Sequence, residues 1–306
     1  MKKCLMFFMA SLVSAGLFAA PLNPAAVPAD AKWAFHIDFE SFSASQFGHL
    51  VTAEILRQHQ PKVDAIKQLL GSDLTRDIHS LTVFGPDADE ANAVALIQGQ
   101  FDREKLLALL SLNPAYNESA YAGNIVYHWQ DEKRGKDQVG TFAAENLIVI
   151  SQSAERVRTM LDVLAGQKAS LATQSDSALG ALLEGTQGVF VAAAATDLSS
   201  LTGGQDHAAV LQNSRMMSVI VNEIEGDMCA FVQLEAKNVE AAQQVEQVAR
   251  GMLAFAALQV QHLPELAPLV QACGVTRTDS SLAFEFRYPS PKLFALMRQH
   301  APKEIK

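Results

Sequence analysis

The chain has 306 residues, of which 49% are hydrophobic and 19% charged, and carries a formal net charge of −9. These proportions exclude a disordered or fibrous protein. The acidic balance, with no basic cluster longer than Lys133-Arg134-Gly135-Lys136, argues against nucleic acid and anionic membrane surfaces as partners. The length allows two domains of about 120–140 residues.

The N-terminus opens with Lys2 and Lys3, continues as an apolar stretch over 4–18, and ends in Ala19-Ala20-Pro21. A short basic segment, an apolar core and small residues make a secretory signal peptide, expected over 1–19. The apolar stretch is shorter than the roughly 20 residues of a membrane span, although an uncleaved anchor is the alternative. Cleavage after Ala19 is favoured over cleavage after Ala20, which would leave Pro21 at the first mature position. Cys4 stands at the front of the apolar core, where a lipid-carrying cysteine would not. Losing Lys2 and Lys3 takes the charge down by two, to −11. Residues 20–32, rich in Pro, Ala and Asn, read as a solvated spacer. No later segment has 18 apolar residues without a charge, so no transmembrane segment is expected after cleavage. The expected destination is the periplasm or the extracellular medium.

Beyond the spacer, residues 33–40 alternate Phe35, Ile37 and Phe39 with His36, Asp38 and Glu40, the pattern of a half-buried strand. Helices follow at 44–58 and 61–70, separated by Pro61 and closed by Gly71. Strands over 80–84 and 93–101 form a hairpin around Gly85-Pro86-Asp87. A helix over 102–111 precedes strands at 115–121, 124–130, 138–143 and 146–151. Ser153 then caps a helix facing Val157, Met160, Leu161 and Leu164 inward, which Gly166 ends.

Residues 167–187 are small and polar and read as a linker with one short helix at 176–184. After them the order repeats. A strand at 189–196 and a helix near 205–213 lead to a hairpin of 216–223 with 228–236. Asn238 opens a long helix expected to bury Val245, Val248, Met252, Phe255 and Leu258. A short helix follows Pro264, then strands at 275–278 and 282–288, and a last helix behind Ser290-Pro291.

The chain therefore divides into a first α+β unit over 33–166 and a second over 188–301. The expected fold is α+β with two related halves, each a mostly antiparallel sheet with helices packed on one face. The order of elements, the strand-Asp opening at Asp38, the turn Gly99-Gln100-Phe101-Asp102 and the strand Tyr127-His128-Trp129 resemble a group of uncharacterised exported bacterial proteins. That resemblance implies a tandem α+β fold outside the cytoplasm and assigns no activity to any residue.

Few residues suggest chemistry. His36, Asp38 and Glu40, two apart on one strand, would share a face, about 6.5–7 Å between neighbours. An imidazole and two carboxylates could serve a divalent cation or act as acid and base, given a further ligand from elsewhere. The plainer reading is the solvent face of an edge or half-exposed strand. His128 and Trp129, beside Tyr127, would either stack on a glycan or protein partner or belong to the core. Asp87-Ala88-Asp89-Glu90 lacks the spacing of a calcium loop and reads as a hairpin turn. Cys229 and Cys273 are candidates for a disulfide in an oxidising compartment, or for two buried thiols. Nucleophile-elbow, zinc-protease, aspartic-dyad and phosphate-loop signatures are all missing.

The expected function is that of a non-catalytic envelope or secreted protein binding a partner or ligand: an envelope or extracellular protein, a glycan, or an apolar molecule held between sheet and helices. No cofactor is expected. The alternative is an extracytoplasmic hydrolase, metal-assisted or not, using the carboxylates of the first strand.

Overall fold

The computed structural model describes residues 20–73, 75–186, 188–198, 212–260 and 263–300. The expected signal segment, and the helix near 205–213 for all but its last two residues, lie outside these. In chain order the elements are β1 (Trp33–Asp38), α1 (Phe39–Ala44), α2 (Gln46–Leu70), β2 (Ile78–Gly85), β3 (Val94–Gly99), α3 (Arg103–Leu110), β4 (Asn117–Tyr121), β5 (Asn124–Asp131), β6 (Lys136–Ala144) and β7 (Leu147–Ser151). After them come α4 (Ala154–Leu164), α5 (Ala178–Leu182), β8 (Val191–Thr196), β9 (Ser214–Ile224), β10 (Asp227–Ala236), α6 (Val239–Gln259), α7 (Ala267–Gln271), β11 (Cys273–Thr278), β12 (Ser281–Pro289) and α8 (Ser290–His300).

The strands of both halves merge into one 12-stranded sheet, ordered β11-β12-β10-β9-β8-β1-β2-β3-β7-β6-β5-β4. Every pairing in it is antiparallel, and short hairpins make those between β4 and β5, β5 and β6, β6 and β7, β9 and β10, and β11 and β12. The seam is β1 against β8, with Ala34 opposite Ala194 and His36 opposite Ala192. From this seam each half builds outward in the same order: opening strand, hairpin, then the last strand of the half. The fold class is α+β.

Cross-strand partners share a face, so the ladder assigns each residue to one of two sides. One side carries Ala34, Phe84, Leu96, Val126, Val149, Ala192 and Ala194, and forms the main core with Val157, Met160 and Leu161 of α4 and Leu179 of α5. The other side carries α2 and α8, joined through Phe47, Leu293 and Phe294, together with α3 and α6. The helices that close the two halves, α4 and α8, thus lie on opposite faces.

Local signals explain most boundaries. Ser153 accepts from the Arg156 N–H and caps α4, and Asn238 accepts from the Ala241 N–H and caps α6. Around Pro61 the expected break becomes a kink inside one helix, with His59 at φ −129° and ψ 17°. The proline lacks an N–H and crowds the preceding turn, but α2 continues through it. Helix α1 replaces the last part of the expected strand: Asp38 accepts from the Ser41 N–H and starts a helix that includes Glu40.

Two further expectations change. Residues 20–32 are not a solvated spacer: Asn23, Pro24, Ala25, Asp30 and Lys32 are exposed, but Ala20, Leu22, Val27 and Ala31 are buried. The segment is tied to 167–173, with Ala29 N–H donating to the Ala169 carbonyl and Leu171 N–H to the Val27 carbonyl. The linker 167–187 likewise buries Leu171, Leu179 and Leu183 in the main core. Alanine-rich β8 leaves room for this extra layer, and sealing a central sheet face recovers hydrophobic free energy that polar composition alone does not reveal.

Candidate functional site

β1 occupies the middle of the sheet, and its polar face is covered rather than open to solvent. Ala34, His36 and Asp38 point into the main core, and His36 and Asp38 are 1% and 0% exposed. The exposed-strand reading is therefore overturned. Phe35 and Ile37, expected to be the buried set, are only half-buried on the other side. Strand alternation was legible, but which face is covered depends on the N-terminal segment that folds back over it.

The expected trio does not converge. Glu40 lies on α1 beside His79, Oε1 to Nδ1 3.5 Å. The Asp38 carboxylate accepts from the Ser41 N–H at 2.8 Å, the Ser41 hydroxyl at 2.7 Å and the Ala20 N–H at 3.0 Å. The His36 Nε2–H donates to the Ala20 carbonyl at 3.0 Å, which leaves Nδ1 to accept from the Thr82 hydroxyl at 2.9 Å. Burial holds this imidazole below its ordinary pKa, against the opposing pulls of the Ala20 carbonyl and the Asp38 carboxylate. Among the described residues, no three His, Cys, Asp or Glu side chains come together as a cation site.

His128 and Trp129 are neighbours on β5 and so face opposite sides of the sheet. His128 Nε2 shares a hydrogen bond with Ser119 Oγ at 2.8 Å. Trp129 is half-buried beneath α3, lying over Gly140, where an added Cβ would meet its ring at 3.1 Å. The buried Tyr127 accepts from Arg103 through its hydroxyl and stacks on Tyr116. One glycan platform is not built from His128 and Trp129 together.

The proposed bridge between Cys229 and Cys273 is ruled out by the ladder. Both are free. Cys229 on β10 stands opposite Arg287 of β12, and Cys273 on β11 stands opposite Phe286 of β12. The two cysteines are thus separated by a whole strand and face opposite sides. Two strand spacings come to about 9.5 Å, beyond the reach of a disulfide. Burial raises the pKa of both thiols.

The feature that sequence reasoning missed is under α6. Only the N-terminal part of this helix is seated: Ala241, Ala242 and Val245 pack on Leu234, Ala236 and Leu282. Glu246 accepts from Arg277 at 2.7 Å and from Arg250 at 2.9 Å, pinning the helix to β11 at that level, and these bonds hold its carboxyl below the usual range. Beyond it the packing loosens: Arg250 still donates to the Val275 carbonyl at 3.1 Å, but Ala249, Leu253 and Ala256 are only half-buried. An open groove of about 420 Å³ runs between α6 and strands β10, β12 and β11, walled by Val232, Met252, Leu253, Val275, Phe284 and Phe286. Among the described residues lining it, Glu285 is the one of charged type, and its place in the ladder is on the face opposite Phe284 and Phe286.

On the same helix, Met252, Phe255 and Leu258 are 68%, 62% and 61% exposed, and Val248 is exposed with them. The expectation that these residues are buried is overturned; only Val245 is. The stripe at helical spacing was correctly apolar. The helix instead turns Ala249, Leu253 and Ala256 toward the strands, and its apolar arc is wider than the sheet can cover.

No protein-family model matches the sequence, and no curated protein matches it. Among solved structures, the chain is similar to TP0453. Crystal form III of TP0453 superposes with a TM-score of 0.52 at 12% identity, covering 91% of this chain and 98% of that one. Crystal forms IV and I give TM-scores of 0.49 and 0.47 at 11% and 14% identity. At this identity the likeness concerns the fold.

Proposed function

We propose that the protein is a non-catalytic binding protein of the cell envelope or the extracellular medium, and that it holds an elongated apolar ligand, such as an acyl chain, in the groove beneath α6. The observation that carries this reading is the groove itself: about 420 Å³, open to solvent, walled almost wholly by apolar side chains and edged by the exposed Met252. The volume lies within the roughly 300–1,000 Å³ range of small-molecule sites. Methionine and aromatic side chains adapt to ligands of variable shape. Each CH₂ buried there would contribute about 0.8 kcal/mol, so with an association cost of about 4 kcal/mol a long chain of roughly 15 CH₂ groups is needed for micromolar affinity. Removal from the cytoplasm remains an expectation carried by the basic, apolar and small-residue run at the N-terminus. The hydrolase alternative finds little support, since His36 and Asp38 are enclosed and Glu40 is on another element.

The test is titration of the protein with a fluorescent fatty-acid analogue. Saturable binding is expected, weakened at least about tenfold by Leu253→Glu, which places a charge in the groove without a partner. Saturable binding that Leu253→Glu leaves unchanged, or no binding at all, overturns the reading.

A further inference from the structure

His36 and Asp38 form the most enclosed polar cluster of the main core, and both direct their bonds to the backbone of a single residue, Ala20. The imidazole holds its carbonyl at 3.0 Å and the carboxylate holds its nitrogen at 3.0 Å. Among the described residues, every donor reaching Asp38 (the Ser41 N–H, the Ser41 hydroxyl and the Ala20 N–H) is neutral. A carboxylate with no exposed surface is ordinarily matched by a cation, because removing it from water costs several kcal/mol. His36 does not supply one, since burial disfavours its protonation. Ala20 directly follows the apolar N-terminal run in the sequence, and it is itself buried.

We propose that the peptide bond between Ala19 and Ala20 is a processing site, and that the α-ammonium released on Ala20 becomes the buried ion-pair partner of Asp38. A peptidase acting on exported chains adds water across that bond. The hydroxyl joins the Ala19 carbonyl carbon as the new carboxylate, the C–N bond breaks, and the Ala20 nitrogen takes up protons to become –NH₃⁺. An α-amino group has an ordinary pKa of about 7.7–8.0, and a facing carboxylate favours its charged form. The ammonium keeps the bond that the peptide N–H already makes and adds the missing charge. The Ala20 carbonyl remains on His36, so two bonds hold the new terminus. Cleavage one residue later would discard the residue that both side chains hold. The inference takes the export signal as its premise and is independent of the groove; removal of the leader would then complete the core of the protein.

The experiment is to express the full 306-residue chain in an exporting bacterium, purify the product and read its first residue from the intact mass. The expected start is Ala20. In the folded protein its α-amine should acylate at least about tenfold more slowly than after unfolding, as a buried and paired group does. Asp38→Asn should remove that protection. Inserting one glycine between Ala19 and Ala20, so that the amine is carried one residue away, should lower Tm by about 6 °C or more. A first residue other than Ala20 overturns the proposal. So does an amine that reacts equally fast in folded and unfolded wild-type protein, a comparison that holds even if Asp38→Asn fails to fold. A glycine-extended product melting with the wild type also overturns the pairing.

Discussion

Helices α4 and α6 begin in the same way, each with a side-chain cap and a glutamate in the first turn, and each carries an apolar stripe, yet they end up differently. Val157, Met160, Leu161 and Val163 of α4 are all buried, enclosed by β6 and β7 beneath and by the N-terminal segment alongside. Only Ala241, Ala242 and Val245 of the longer α6 are buried. The difference lies in what each helix meets. α4 rests on β6 and β7, with β5 and β4 still outside them, and residues of 20–31 and 171–183 join its core. α6 rests on the last strands of one end and overhangs them. An amphipathic stripe reports that a helix has an apolar side; whether that side is covered depends on neighbours distant in sequence.

This contrast can be broken at several points. The largest expected effect is in the closed region. Met160→Ala, at a site with no exposure, should cost about 2–5 kcal/mol in urea unfolding, whereas Met252→Ala on α6 should stay within about 0.5 kcal/mol. Equal costs would mean that α6 is seated in solution and the groove closed.

A smaller effect is expected from pH. The folded-state pKa of His36 is depressed, so the unfolded chain binds more protons below its ordinary value near 6.5. The stability tied to neutral His36 is therefore complete above about pH 6.5 and declines as the pH falls, by at most about 1.4 kcal/mol per unit. Comparing urea midpoints at pH 7 and 5 for wild type and His36→Gln should show a shallower decline in the variant. An unchanged slope would place His36 in water and undo the enclosed cluster.

The smallest effect concerns the open end. Because Cys229 and Cys273 cannot meet, a reductant should leave Tm unchanged within about 1 °C, and both should count as free thiols after unfolding. A reductant-sensitive Tm would require β10, β12 and β11 to be arranged otherwise, and with them the wall of the groove.

Much of the element order was readable because its signals are local. Ser153 and Asn238 cap helices, the Glu225-Gly226 turn has both residues at positive φ, and alternation marks the strands. The start of α1 was readable too, in an Asp three residues ahead of a Ser, but alternation through Glu40 obscured it. The candidate site was far less legible. His36 and Asp38 drew notice as polar residues on a strand, but with the wrong face turned to water. The groove left no motif, since the residues that line it are the same types that fill a core.

By itself the sequence determined the α+β class, the positions of most helices and strands, and an N-terminal run with the features of an export signal. Each follows from propensity, capping or periodicity within a few neighbouring residues. Only the tertiary structure decided that the two sets of strands join at β1 and β8, that residues 20–31 seal one face over His36 and Asp38, that the cysteines lie a strand apart, and that α6 overhangs its sheet. Those outcomes depend on contacts between segments far apart in the chain, where the free energy of covering one face competes with that of covering another.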